Sequence, residues 1–325
     1  MKRCFIYWNN KFSFCENCDS RKSRLPISDK IRRMGVGKER KKVLKNSNVI
    51  VLFLLLSIIF IFPKITYADS ITNNNGIVIS EQEYNDFKKV YDDNYIMNMS
   101  LEKYNKLKEL NFDEITTTTK YVESMYNPNL QLTTEREITK EEYDNHNSIS
   151  PLLDDGDAYY ETQVKKISLA VIGGTTYSHV MTVATWKAIP ATRSFDVIGV
   201  RGYGMEVREG SQMGEQIYVD ANDNYTVIDY AWNGTNIKKF DEGYGISMNI
   251  VNPTITYLQL ITECDVTPTI DHPTLYSSYQ HAQQSLTLAN SQNYTLGGAG
   301  LGDVFVYPYS IAQKYDGMSG VNISY

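Results

Sequence analysis

Tyr244-Gly245-Ile246-Ser247-Met248-Asn249-Ile250-Val251 sets large apolar side chains at every second position, with mostly small or polar ones between. A period of two is that of an extended strand with one face turned to a core. The same period recurs on both sides of this stretch. Leu258 and Leu260 are followed on one strand phase by Cys264 and Val266. Upstream, Ile167, Leu169 and Val171 alternate with Ser168 and Ala170. Val180, Ala184 and Trp186 alternate with His179, Met181 and Val183, so both faces of that strand are rather apolar. Leu286 and Leu288 extend the pattern towards the C-terminus. Gly173-Gly174, Asn222-Asp223-Asn224, Asn233-Gly234, Asn252-Pro253 and Gly297-Gly298 punctuate these runs as turns. Short alternating strands between such turns predict a mainly β fold, an antiparallel β-sandwich or barrel-like domain over residues 158–325. Helical crossovers between the strands are missing, which excludes a parallel α/β sheet.

Before this domain the pattern is helical and acidic. Ile79-Ser80-Glu81-Gln82-Glu83-Tyr84, Met99-Ser100-Leu101-Glu102-Lys103-Tyr104 and Ile138-Thr139-Lys140-Glu141-Glu142-Tyr143 share one design. Ser or Thr is the N-cap, the preceding apolar residue and the Tyr form a hydrophobic staple, and Glu83 and Glu142 complete capping boxes. Lys103 breaks the box in the second copy. Residues 69–147 are therefore read as an acidic short-helix region with these S/T-x-x-E/K-Y repeats. The β-branched run Ile115 to Thr119 resists helix and predicts a strand or extended connection within it. Residues 148–157, with Pro151, Gly156, two serines and three aspartates, read as the linker.

The apolar run Val49 to Phe62 is short for a membrane span and suits the core of a signal peptide. Lys38, Arg40, Lys41, Lys42 and Lys45 supply a basic segment before it, and Thr66 and Ala68 precede a cleavage site at Ala68/Asp69. Residues 34–68 are read as the signal peptide, and residues 1–33 as an over-extended start or leader. The expected location is outside the cell, with an uncleaved membrane anchor as the alternative. Residues 69–325 carry 17 Lys and Arg against 34 Asp and Glu. Such an acidic body excludes nucleic acid as a partner and disfavours anionic membranes. Contact with a membrane is expected only through the signal peptide. Cys264 is the one cysteine after residue 68, so no internal disulfide is expected there.

No catalytic constellation emerges. The four histidines, His146, His179, His272 and His281, show no metal-ligand spacing and read as surface or half-buried residues. Cys264 shares its phase with Leu258 and Leu260 and is expected as a buried, inert thiol. Asp220, Asn222 and Asn224 place oxygen atoms as the start of a calcium loop does, but Tyr225 replaces the sixth-position glycine and Ala231 the twelfth-position acid. A turn is the simpler reading, and calcium is the one cofactor considered. Trp186 to Arg201 is the most distinctive segment. Arg193 and Asp196 suit an ion pair there, while Trp186, Arg193 and Trp232 are the candidate binding contacts.

The capped Ser/Thr-x-x-Glu-Tyr helices, the signal peptide and the strand segment around WKAIPATRSFDVIGVR resemble uncharacterised secreted proteins of Gram-positive bacteria. That resemblance implies export and carries no catalytic residue. The expected function is that of a non-enzymatic secreted or surface-associated protein, whose Tyr-rich β-domain binds an extracellular carbohydrate, protein or cell-wall ligand. The alternatives are an extracellular hydrolase with unrecognised carboxylates and a membrane-active β-toxin.

Overall fold

Most of the alternating runs become strands, and all the described strands pair antiparallel. A computed structural model describes residues 70–127, 129–130, 132–146, 153–155, 158–173, 177–250, 254–297 and 304–324. The cleavage site at Ala68 and Asp69 lies outside these residues, as do Asn252-Pro253 and the segments before residue 70. The strands are β1 (Ser70–Thr72), β2 (Val78–Ser80), β3 (Asn111–Asn127), β4 (Leu132–Ile138), β5 (Leu153–Asp155), β6 (Ala158–Gly173), β7 (Ser178–Ala188), β8 (Phe195–Tyr203), β9 (Met205–Val207), β10 (Met213–Asp220), β11 (Tyr225–Tyr230), β12 (Ile237–Phe240), β13 (Gly243–Asn249), β14 (Ile255–Pro268), β15 (Thr274–Gln280), β16 (Thr295–Leu296), β17 (Phe305–Val306) and β18 (Ser319–Ser324). Short helices are α1 (Glu81–Phe87), α2 (Asp93–Asn98), α3 (Leu101–Lys108), α4 (Lys140–Asn145), α5 (Leu288–Ser291) and α6 (Tyr309–Ala312).

A large sheet runs β11-β10-β14-β7-β6-β3-β4, with β5 added to β6 and β9 to β14. A second sheet runs β12-β13-β8-β15-β18. The two stack face to face, as the antiparallel sandwich reading requires. Ile167, Leu169, Ala184, Leu258 and Leu260 of the first sheet meet Ile198, Val200, Ile246, Leu275 and Tyr279 of the second in one buried cluster. Cys264 lies in this cluster, as its phase predicts.

The apolar second face of β7 has its reason in a third layer. Ala170, Ile172, Met181, Val183, Ile217 and Ile261 face away from the sandwich core and are covered by Ile79, Phe87, Tyr95, Ile96 and Leu107. These come from β2 and helices α1 to α3. The helices start where the caps predict. Ser80 and Thr139 form full capping boxes with Glu83 and Glu142, and Ser100 caps α3 through Lys103 N. On the opposite side of the molecule, Tyr294, Val304, Phe305, Ile311 and Tyr315 cover Val197 of the second sheet.

Two expectations need correction. Residues 111–138, placed within the helical region, supply β3 and β4, and β3 pairs with β6 from Asn111 to Tyr126. The helical segment therefore shares a sheet and a core with the strands after residue 157, and the described elements belong to one compact unit. Leu286 and Leu288 do not sit on a strand. Leu286 is buried in a loop, and Leu288 opens α5, because Thr287 caps the Asn290 N–H and starts a helix.

Candidate functional site

Strand phase places two groups of charged side chains inside the protein. Lys165 shares its phase with Ile167, Leu169 and Val171, so β6 turns it into the sandwich core. A register shift between Val164 and Lys165 sets it opposite Trp186. Asp196 shares its phase with Ile198 and Val200 on β8. Here the core closes around Lys165, Asp196, Tyr279, His281 and Asp316, all with fully or almost fully buried side chains. Lys165 Nζ contacts Asp316 Oδ2 directly and lies 3.3 Å from Glu135 Oε1. Trp186 and Tyr279 flank it, with ring centroids 5.6 and 5.5 Å from Nζ. The His281 backbone N–H donates to Asp316 Oδ1 at 2.7 Å, and its Nδ1 lies 3.0 Å from Asp196 Oδ1. Tyr279 OH donates to Asp196, which also accepts from Ala282 N at 2.9 Å.

Burial pushes the Asp316 carboxyl up to about 6; Lys165 opposes that rise and Glu135 adds to it. Burial also works against the Lys165 and His281 cations, but their carboxylate neighbours outweigh it and raise both. Its most open group is Glu135, 21% exposed at the side chain.

The second group lies under the helices. Lys103 Nζ meets Glu215 Oε1 at 3.0 Å and contacts Glu263. Tyr91 OH donates to Glu263 and Tyr95 OH to Glu215, both at 2.8 Å. Lys106 Nζ lies 3.0 Å from Glu263 Oε2. His179 joins Glu263 to Asp265, with Nδ1 2.8 Å from Asp265 Oδ1. Burial favours a neutral Glu263, yet Lys103, His179 and Lys106 hold its carboxyl well below the usual range. Every carboxylate here is matched by cations or phenols. The group bonds the helical layer to the large sheet.

A cleft of about 490 Å³ lies between α1, α3 and the start of β3. Two of its acids are engaged at the wall, with Lys108 Nζ 3.2 Å from Glu83 and Lys89 Nζ 2.7 Å from Asp86, and a third, Asp113, also lines it.

The sequence candidates are not brought together. Trp186 is 3% exposed and donates from Nε1 to Tyr279 OH at 3.1 Å, so it is a core residue and not a surface contact. Arg193 is half-buried and donates to Pro190 O at 3.2 Å. Asp196 is taken by Tyr279, His281 and Ala282, so the expected Arg193–Asp196 pair gives way to a buried Asp–His pair. Trp232 is 42% exposed, with Lys239 Nζ 4.3 Å over its ring. Asp220 Oδ1 accepts from Asn222 N at 2.7 Å and Asn224 N at 3.0 Å, and Oδ2 from Asn224 Nδ2 at 2.9 Å. With Asp223 at φ 61°, this is turn geometry. Among the described residues no group of three His, Cys, Asp or Glu is placed to hold a metal ion. His179 and His281 are buried, contrary to the surface reading, while His272 is exposed. The missed residue Lys165 carried one signal, a charge on the apolar phase of a strand. Asp196 carried the same signal but reads in the sequence as the partner of Arg193.

No protein-family model matches this sequence, and no curated protein matches it either. Among the described residues no helix is long and apolar enough to cross a membrane.

Proposed function

We propose that the chain is a secreted or surface-associated non-enzymatic protein that binds an extracellular carbohydrate, protein or cell-wall ligand through the surface of its β-sandwich. The observation that carries this reading is Trp232, a tryptophan held open to solvent on the β11–β12 connection with Lys239 over one face. A rigid aromatic ring next to a cation gives large contact area at small entropic cost, and stacks on sugars or side chains alike. The basic segment and apolar run before Asp69 support export.

The test is binding of residues 69–325 to a glycan array and to isolated Gram-positive cell-wall material. Binding that falls at least tenfold in Trp232→Ala, with the thermal midpoint unchanged, is the expected result. Equal binding by the variant would remove Trp232 as the contact, and turnover of a wall polymer would overturn the non-enzymatic reading.

A further inference from the structure

Among the described residues, two lysines are buried between carboxylates, and the two sites differ in one chemical respect. Around Glu263 the donors are Lys103, Lys106, Tyr91 and the nearby His179. A carboxylate so surrounded is held as the anion and is a poor electrophile. Asp316 has fewer partners. Oδ2 faces Lys165, and Oδ1 accepts the His281 backbone N–H at 2.7 Å. Its surroundings are the rings of Trp186 and Tyr279 and a second carboxylate, Glu135. Ser124 Oγ, 2.8 Å from Glu135 Oε1, fixes that second group. Gly317 makes room for it: a Cβ there would stand 2.4 Å from Glu135 Oε2. Amine, acid and proton carrier are thus held together in a dry, aromatic-walled space.

We propose that Lys165 Nζ and Asp316 Cγ become joined by an intramolecular amide bond, with Glu135 carrying the protons. The chemistry balances without any outside reagent. One proton passes from the Lys165 ammonium to the Asp316 carboxylate, leaving a neutral amine against a neutral acid. Burial favours this exchange, because two buried charges become none. The carboxylates beside Lys165 oppose it, so the neutral pair is the minor state from which the bond forms. The amine lone pair forms the N–Cγ bond, and the carbonyl electron pair moves onto Oδ1, where the His281 N–H receives it as an oxyanion-hole donor would. Glu135 takes one proton from the nitrogen and returns it to the Asp316 hydroxyl. The Cγ–Oδ2 bond breaks, the carbonyl re-forms and one water leaves. Glu135 ends as the carboxylate it began as. Direct contact in the folded core stands in for an activating group, since held neighbours react as though very concentrated.

The placement gives the bond a purpose. Lys165 belongs to β6 of the large sheet, and Asp316 leads into β18 at the edge of the second. The link would close a loop of 151 positions and tie the two sheets together in a chain whose one described cysteine is free. This proposal does not depend on the binding function.

The test is mass spectrometry of the purified full chain after incubation in the folded state. Trypsin should yield a branched species joining residues 141–166 to residues 315–325, uncut after Lys165, and lighter than the two peptides by about 18 Da, one water. Glu135→Gln should keep the β-type circular dichroism spectrum and lose the branched species. Lys103→Met should retain it. Cleavage after Lys165 and a free 315–325 peptide from folded wild-type protein would overturn the proposal. Branched species at wild-type yield in folded Glu135→Gln would overturn the part given to Glu135.

Discussion

Lys103 and Glu215, 112 positions apart in the chain, meet at 3.0 Å beneath the helical layer. Lys103 occupies the place where the other two capped helices carry the Glu of a capping box. The lost cap interaction and the gained cross-layer ion pair are one substitution seen from two sides. Its ammonium now bonds α3 to β10 and β14, and through Tyr91 and Tyr95 the preceding segment joins the same carboxylates.

Lys103→Ala should therefore cost more than an ordinary surface change. It leaves Glu215 and Glu263 buried with fewer cations, and breaking a buried pair on one side costs about 3–5 kcal/mol. Urea unfolding of the variant should show a lower midpoint and an unfolding free energy smaller by that amount. A loss under about 1 kcal/mol, typical of exposed pairs, would mean the site is wet.

Stability should vary with pH through the same group. Glu263 has its folded carboxyl lowered, so its contribution is full above the ordinary Glu range and is lost as acid protonates it. His179 is raised against the pull of burial by Asp265 and Glu263, so its contribution is full below about 6.5 and is lost as pH rises through the raised value. His179→Gln should flatten the alkaline limb of a melting-temperature profile and also shrink the acid limb, because His179 is one of the groups that hold the Glu263 carboxyl down.

Cys264 should be silent towards thiol reagents in the native state. It is fully buried in the sandwich core, and burial pushes its thiol up to about 12. Native labelling should be slow and become stoichiometric in denaturant. Fast native labelling would show that β14 opens locally.

Much of this fold is legible in the sequence because burial imposes a period of two. Ile246, Leu258 and Cys264 announce their core face by phase alone, and Ser80, Ser100 and Thr139 announce helix starts by cap chemistry. The apolar residues between Val180 and Trp186 already imply a second covered face, which the helices supply. What pairs with what is less legible. The partner of β6 is β3, reached across the helix α4, and no local residue states that register. Lys165 and Asp316 stand 151 positions apart, and only the folded sheets bring them into contact. Trp186 misleads because its distinctive neighbours suggest a binding loop, whereas its phase, shared with Ala184, already puts it inside.

The layered, sealed architecture is tested most directly by expressing residues 158–325 alone beside residues 70–325. The shorter fragment lacks β3 next to β6 and lacks the helices that cover Ile172, Met181, Val183, Ile217 and Ile261. Circular dichroism should show a single cooperative thermal transition for the longer chain, and an aggregated or non-cooperative state for the shorter one. A cooperative β-type transition of 158–325 at the same midpoint would contradict it, and would make the helical layer a separate domain.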